Sequence, residues 1–175
     1  MTPPETGGTP HGLTPEDFAT TPPLTQPAID TAVATIRRLA GWHIWPVIEE
    51  TITISAPGDK LVFLPTKHLI ELKALSVDGV PQSFGPEDAS PDGTVWVDSL
   101  TPAANGRPRR VTATIVHGYH LPREALALVG AMAARASAPA QSVQVGRINI
   151  GAPGAVTPQA AEWRLIDELK LGPLP

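Results

Sequence analysis

The chain has 175 residues, of which 42% are hydrophobic and 17% are charged, and its formal net charge is −4. There is enough apolar material for a hydrophobic core, which excludes a wholly disordered chain, and the length fits one domain with an appendage. The acidic balance argues against a protein that coats duplex DNA, and the absence of cysteine excludes disulfides and thiolate metal sites.

Residues 1–26 are interpreted as a Pro/Thr-rich N-terminal arm that contains no Lys or Arg. Such a segment buries too little apolar area to offset its ordering entropy, so we expect it to be ordered only against a partner. A leader without a role and a docking arm are the two alternatives. Neither a secretory signal nor an apolar run of the ~18 residues of a membrane span is recognisable, which predicts a soluble protein made in the cytoplasm.

A connector core is predicted over residues 27–138, and it begins with a helix from Pro27 to Ala40. The apolar residues Ile29, Val33 and Ile36 recur at steps of four and three, as on one face of a helix. Pro27 suits the first turn, and Gly41 can terminate the helix.

Alternation of apolar and polar residues predicts a small antiparallel sheet in the middle of the chain. The predicted strands cover residues 47–55, 60–64, 69–77, 95–97 and 110–116. Turn residues separate the first two strands, so we expect these two to pair as a hairpin.

A second long helix is predicted from Pro122 to Ala138, with Leu126, Val129, Gly130, Ala133 and Ala136 along one side. Residues 139–175 are interpreted as a C-terminal arm with a short helix that starts at Thr157-Pro158. Within this arm, residues 141–151 alternate and fit a strand, an arm or an added sheet edge. The predicted fold class is α+β: a helical bundle of short helices with an inserted small antiparallel β-sheet and extended N- and C-terminal arms.

Catalytic motifs are missing from the sequence: there is no nucleophile elbow, no H-E-x-x-H helix and no phosphate-binding loop. His117 and His120, with Glu124 nearby in sequence, are the candidates for a metal or an acid–base pair. We favour a structural interpretation, in which Gly118 allows a sharp turn and the imidazoles bond to backbone groups. The prediction is therefore no enzyme, with no catalytic, cofactor or metal residues.

Two other patterns also receive structural interpretations. Adjacent Glu49 and Glu50 should point to opposite faces of a strand, so they are expected to be solvated or interface charges. Trp42 and Trp45 flank His43, which fits either a stacking platform or a hinge packed by aromatic rings, and we favour the hinge.

The one basic cluster consists of Arg107, Arg109 and Arg110. It can contact a phosphate backbone or an acidic neighbouring subunit, and surface solvation is the alternative.

Several segments together carry a resemblance to a known family. They are IRRLAGWHI (36–44), VIEETITI (47–54), LVFLPT (61–66) and VTATIVHGY (111–119), the last of these followed by a helix that starts with proline. In these segments, and over roughly residues 27–171, the chain resembles the head-to-tail connector (adaptor) proteins of long-tailed phages, particularly those of actinobacterial hosts.

The resemblance implies a structural virion protein without enzymatic activity. Such a protein forms a dodecameric ring beneath the portal, joins the DNA-filled capsid to a downstream neck or tail protein, and lets genomic DNA pass through its lumen without sequence recognition. It implies location in the virion neck, after assembly in the host cytoplasm. The segment from Gln141 is the candidate for reaching the portal, through the predicted interface residues Val143, Val145, Arg147, Ile148, Ile150 and Trp163.

Two alternatives to this function are kept. One is another neck protein, such as a stopper or tail terminator. The other is a carbohydrate- or peptide-binding module, which requires an exposed aromatic platform at Trp96 or Trp42.

Overall fold

The structure is a computed structural model, and it describes residues 10–58, 60–103, 105–137, 142–145, 148–151 and 158–172, with the backbone alone for 142–145 and 148–151. It divides into two compact units, one made of Met1–Gly41 with Leu121–Lys170 and the other of Trp42–His120 with Leu171–Pro175. In chain order the elements are α1 (Gln26–Ala40), β1 (Ile48–Ala56), β2 (Leu61–Phe63), β3 (Leu69–Val77), β4 (Val80–Pro81), β5 (Thr94–Trp96), β6 (Arg109–His117), α2 (Arg123–Ser137), β7 (Ser142–Val145), β8 (Ile148–Gly151) and α3 (Ala160–Leu169). The α+β class predicted from the sequence agrees with this set of elements.

Helix α1 matches its predicted span and its predicted end signals. Pro27 lies in the first turn, and Gly41 terminates the helix with φ of 84° while its backbone N–H donates to the Arg37 carbonyl. The buried side includes the predicted residues Ile29 and Val33. Local sequence signals are sufficient to define this helix.

Helices α2 and α3 complete the helical unit, in which all three helices contact one another. The buried side of α2 is rotated from the predicted one, since it consists of Ala125, Leu128, Val129, Met132 and Ala133. On α3, Ile166 is buried and Trp163 is exposed.

The N-terminal segment packs within this unit over the part that the structure describes. Leu13 and Leu24 are both 4% exposed. A Cβ at position 130 would lie 3.1 Å from the Phe18 ring, so glycine on α2 leaves the space that this ring occupies. The expectation that the arm is ordered only against a partner is therefore wrong for residues 10–25.

The second unit contains a four-stranded antiparallel sheet with the order β1-β6-β3-β4 and a two-stranded sheet of β2 and β5. Its core combines apolar residues of both sheets, among them Leu72 and Leu75 of β3, Val62 of β2 and Val95 of β5. The Asp78-Gly79 turn joins β3 to β4, and both residues have positive φ, as in a tight two-residue hairpin.

The predicted hairpin between the first two strands is wrong. Strand β1 pairs along its whole length with β6, with Ile52 opposite Ala113, and β2 pairs with β5 instead. The polar face of the β1–β6 pair is held by cross-strand hydroxyl contacts, from Thr51 to Thr114 at 2.9 Å and from Thr53 to Thr112 at 3.2 Å.

Within the segment for which a strand, an arm or an added sheet edge was expected, residues 142–145 and 148–151 form two short strands. Strands β7 and β8 pair antiparallel, with Val143 opposite Ile150 and Val145 opposite Ile148. No helix in the described part of the chain combines the length and apolarity that crossing a membrane requires.

Candidate functional site

A cluster of polar side chains lies inside the second unit, and we refer to His43, Glu50 and His117 as the histidine cluster. His43 lies between α1 and β1, Glu50 is on β1, and His117 is the last residue of β6. The β1–β6 register places Ile48 opposite His117, and Glu50 lies two residues further along the same face. The pairing of these strands thus brings Glu50 to His117.

The central contact of the cluster joins His117 and Glu50. His117 Nε2 lies 2.8 Å from Glu50 Oε1, and the imidazole donates because an ionised carboxylate only accepts. The His117 side chain is 1% exposed, whereas that of Glu50 is 40% exposed. Burial lowers the pKa of His117 and so favours the neutral imidazole, whereas the charge of Glu50 acts in the opposite direction.

His43 is oriented by the backbone next to it. Its Nε2 lies 2.8 Å from the Pro46 carbonyl oxygen and donates to it. The rings of His43 and His117 are 4.3 Å apart between centroids. Gly118 makes this approach possible, because a Cβ at this position would lie 2.6 Å from His43 Nε2 and 2.5 Å from the Pro46 oxygen.

Aromatic rings surround the histidine cluster. The Trp42 ring lies 5.6 Å from His43 and 6.4 Å from His117 between centroids, and the Tyr119 ring packs edge-on against Trp42. Tyr119 also stacks on His68, which contacts the Gly118 carbonyl oxygen through Nδ1 at 2.8 Å. Both imidazoles of the cluster therefore pack against the Trp42 ring.

The structure does not bring together His117, His120 and Glu124, the three residues predicted as candidates for a metal site or an acid–base pair. His117 belongs to the cluster, His120 is exposed, and Glu124 is on α2 of the other unit. Gly118 has φ of 108°, which agrees with the expected sharp turn, but His117 bonds to a carboxylate rather than to the backbone. No sequence pattern groups His43 and Glu50 with His117. The β1–β6 pairing brings Glu50 to His117, and the turn before β1 brings His43 there.

The opposite orientation of Glu49 and Glu50 and the packing of the tryptophans agree with the predictions, but Glu50 is not simply a solvated charge, because it is half-buried and bonds to His117. Glu49 pairs with Lys73, whereas Glu50 lies on the opposite side of β1 against His117. Trp42 and Trp45 are buried, as expected for a packed hinge, so neither offers a stacking platform.

A carbohydrate- or peptide-binding module would use an exposed Trp96 or Trp42, and of these two side chains Trp96 is the exposed one. It is 44% exposed, Lys60 Nζ lies 5.6 Å from the centre of its ring, and its indole N–H donates to Asp98. The chain's own lysine and aspartate therefore already contact this ring.

The basic cluster is partly neutralised. Arg109 forms an ion pair with Asp78 at 2.8 Å, and the other Asp78 oxygen accepts from the Arg110 backbone N–H at 2.9 Å. These contacts hold the pKa of Asp78 below its usual range. Arg107 and Arg110 are exposed, so two of the three guanidinium groups are accessible to a partner.

The predicted portal interface is described in part. In the pairing of β7 with β8, Val143 lies opposite Ile150 and Val145 lies opposite Ile148. Arg147 lies outside the described residues. Trp163 on α3 is 39% exposed, as a contact residue requires.

Comparison with known proteins gives no independent assignment. No protein-family model matches the chain, and no curated protein matches it significantly.

Proposed function

We propose that this protein is a structural component of the neck of a long-tailed phage, a head-to-tail adaptor without enzymatic activity. In this proposal copies of the chain form a ring, by resemblance a dodecamer, between the portal and a downstream neck or tail protein. Genomic DNA passes through the lumen of the ring. In this proposal the three helices form a small bundle of short helices, and the sheet unit is inserted in the chain between α1 and α2.

The observation that carries the proposal is the place of the sheet unit in the chain. The chain leaves the helical unit after Gly41 and re-enters it at Leu121, so a complete antiparallel sheet is inserted between α1 and α2. The segments at these two crossings, IRRLAGWHI (36–44) and VTATIVHGY (111–119), are among those that carry the family resemblance. The element order therefore supports the same family as the residues do.

An open sheet edge supports the self-association that a ring requires. Strand β1 has nine residues, and β6 is its one partner within the described part of the chain. The side of β1 that faces away from β6 is therefore an open edge of the sheet. Natural edge strands are commonly protected by charged side chains, Pro or a bulge. β1 has two glutamates near its start, Glu49 and Glu50, but residues 51–56 contain no charge and no Pro, and the strand pairs with β6 in unbroken register. We infer that a second copy of the chain covers this edge through a heterologous contact, as in a closed ring.

The charges are compatible with a DNA passage. A net charge of −4 gives little affinity for phosphates, so DNA can move past the protein without being held. Arg107 and Arg110 then serve as local contacts, either to an acidic neighbouring subunit or to passing DNA.

The C-terminal segment supplies the portal contact in this proposal. Among the described strands, β7 and β8 pair only with each other, so each has an outer edge that can accept a further strand. Trp163 on α3 offers an exposed aromatic ring. Strand addition to the portal and burial of this ring would together explain why the segment is rich in Val and Ile.

The test is the native mass of the purified chain, alone and mixed with the cognate portal protein. We expect either a closed oligomer or a monomer that becomes a ring on the portal. A monomer that ignores the portal would contradict the proposal. A chain in which a Gly/Ser linker of equal length replaces residues 141–151 separates the two contacts and keeps α3, whose Ile166 is buried. Portal binding should be weakened in this variant, while any oligomer of the free chain persists.

A further inference from the structure

The histidine cluster brings together three side chains of the types that bind transition metals. One donor atom from each of His43, Glu50 and His117 lies within 4.8 Å of the other two. It is the one such group of three or more possible ligands in the described part of the chain. Its members come from three separate segments, so it is built by the fold and not by a local run of sequence.

We propose that His43, Glu50 and His117 form a binding site for one divalent transition metal ion, with zinc as the first choice. Two imidazoles and one carboxylate are a common three-ligand set for zinc, with water in the fourth position. Ligand atoms of a tetrahedral zinc ion are about 3.3 Å apart, given zinc–ligand bonds of about 2.0–2.1 Å. His117 Nε2 and Glu50 Oε1 are 2.8 Å apart, and one donor atom of His43 lies within 4.8 Å of a donor atom of each, so the three side chains are close to this spacing.

The orientation of His43 fits a metal ligand. Because Nε2 donates to the Pro46 carbonyl oxygen, the ring carries its proton on Nε2 and its lone pair on Nδ1. A hydrogen bond from the second ring nitrogen to a backbone carbonyl is the usual way in which proteins orient a metal-binding histidine.

His117 would bind the ion through Nε2. This requires its proton to move to Nδ1, so the hydrogen bond from Nε2 to Glu50 is exchanged for bonds from both side chains to the ion. The buried Nδ1 has no hydrogen-bond partner in the described part of the chain, so no existing hydrogen bond has to break at that atom.

The histidine cluster is accessible from solvent through Glu50. Glu50 is 40% exposed, so an ion can enter from that side and keep one water molecule. Trp42 and Tyr119 supply an apolar surround, which strengthens the attraction between the ion and the carboxylate. The ion would join the segment before β1 to the end of β6.

This inference departs from the expectation of no metal site, and it does not depend on the proposed neck function. The sequence grouped His117 with His120 and Glu124, whereas the fold brings it to Glu50 and His43.

The experiment uses the full chain, stripped of metal with a chelator and titrated with Zn²⁺ by calorimetry and with Co²⁺ by visible absorption. We expect one ion per chain, strong absorption typical of four-coordinate Co²⁺, and a melting temperature that rises with Zn²⁺ concentration. Absence of binding to the folded wild-type chain would overturn the proposal.

Three variants locate the ion. Glu50→Gln retains a hydrogen-bonding group beside His117, and His43→Gln removes one imidazole; each should weaken Zn²⁺ binding at least tenfold. His120→Gln removes an exposed imidazole and should bind as the wild type does. Circular dichroism confirms that each variant is folded. Binding that survives in both ligand variants, or that is lost in His120→Gln, would contradict the assigned site.

Discussion

The Arg135 guanidinium on α2 donates two short hydrogen bonds to the Glu162 carboxylate on α3, with distances of 2.7 and 2.6 Å. One of the two Glu162 oxygens also accepts from the Gln159 backbone N–H, which closes the first turn of α3. Glu162 is 12% exposed and Arg135 28% exposed, so this paired geometry is largely shielded from solvent. The contact links α3 to α2 and caps α3 with the same side chain.

Glu162→Gln should therefore lower the free energy of unfolding by about 1–3 kcal/mol, since it leaves a half-buried guanidinium without its charged partner. Denaturant unfolding measures the change, and hydrogen exchange should show faster opening of α3. Asp167→Asn is the matched control, because it removes the same charge from an exposed position of the same helix. Equal stability of the two variants would show that the contact contributes nothing beyond charge.

The same carboxylate predicts a pH dependence. Hydrogen bonds from Arg135, with a smaller contribution from the Gln159 N–H, hold the pKa of Glu162 below its ordinary value of 4.5, although burial opposes them. Because the folded pKa is lowered, its stabilisation is complete above pH 4.5 and is lost as the pH falls through the folded value. The stability difference between wild type and Glu162→Gln should be constant from pH 7 to 5 and shrink on further acidification. A difference that grows in acid would contradict this sign.

The sequence predicted elements well where the determining signals are local. Pro27 and Gly41 mark the ends of α1, and alternation marks β1, β3 and β6. Strand pairing depends instead on distant residues: the nearest strand in sequence, β2, was expected beside β1, and β6 takes that place.

The site was less predictable for the same reason. His117 and Glu50 are 67 residues apart, and only the β1–β6 register brings them together. The packed part of the N-terminal arm was also missed, because composition reflects average apolar content, whereas Leu13 and Leu24 act as single buried anchors.

Leu24→Ala tests the packing of that arm. Truncating a side chain that is 4% exposed should lower the free energy of unfolding by about 2–4 kcal/mol through lost burial and a residual cavity. Thermal and denaturant unfolding measure the effect. Leu121→Ala, at a position 40% exposed, should cost well under 1 kcal/mol by comparison. An arm that is detached in solution would leave the stability of the Leu24 variant at the wild-type value.

Gly118→Ala tests the close approach at the histidine cluster. Its φ is 108°, and the new methyl group would lie 2.5 Å from the Pro46 oxygen, so backbone strain and steric overlap act together. We expect a loss of about 2–4 kcal/mol in unfolding free energy. Gly79 has a φ of 84°, and a Cβ added there would meet no other atom within 4 Å. Gly79→Ala therefore introduces backbone strain alone and should lower the free energy of unfolding by about 1 kcal/mol. The difference between the two variants isolates the overlap, and equal losses would show that no close approach exists.

Thr53→Lys tests the proposed role of the β1 edge. Thr53 is exposed and contacts Thr112 through its hydroxyl, so the folded chain should lose only about 0.5–1 kcal/mol of stability. A lysine on an edge strand disfavours addition of another strand, because a desolvated ammonium would face the joining chain. If a second copy covers this edge, the association constant for self-assembly should fall about tenfold, which light scattering over a concentration series measures. Ala127→Lys introduces the same charge at an exposed position of α2, outside the sheet, and should leave assembly unchanged. Equal assembly of both lysine variants and the wild type would place the subunit contact elsewhere than at β1.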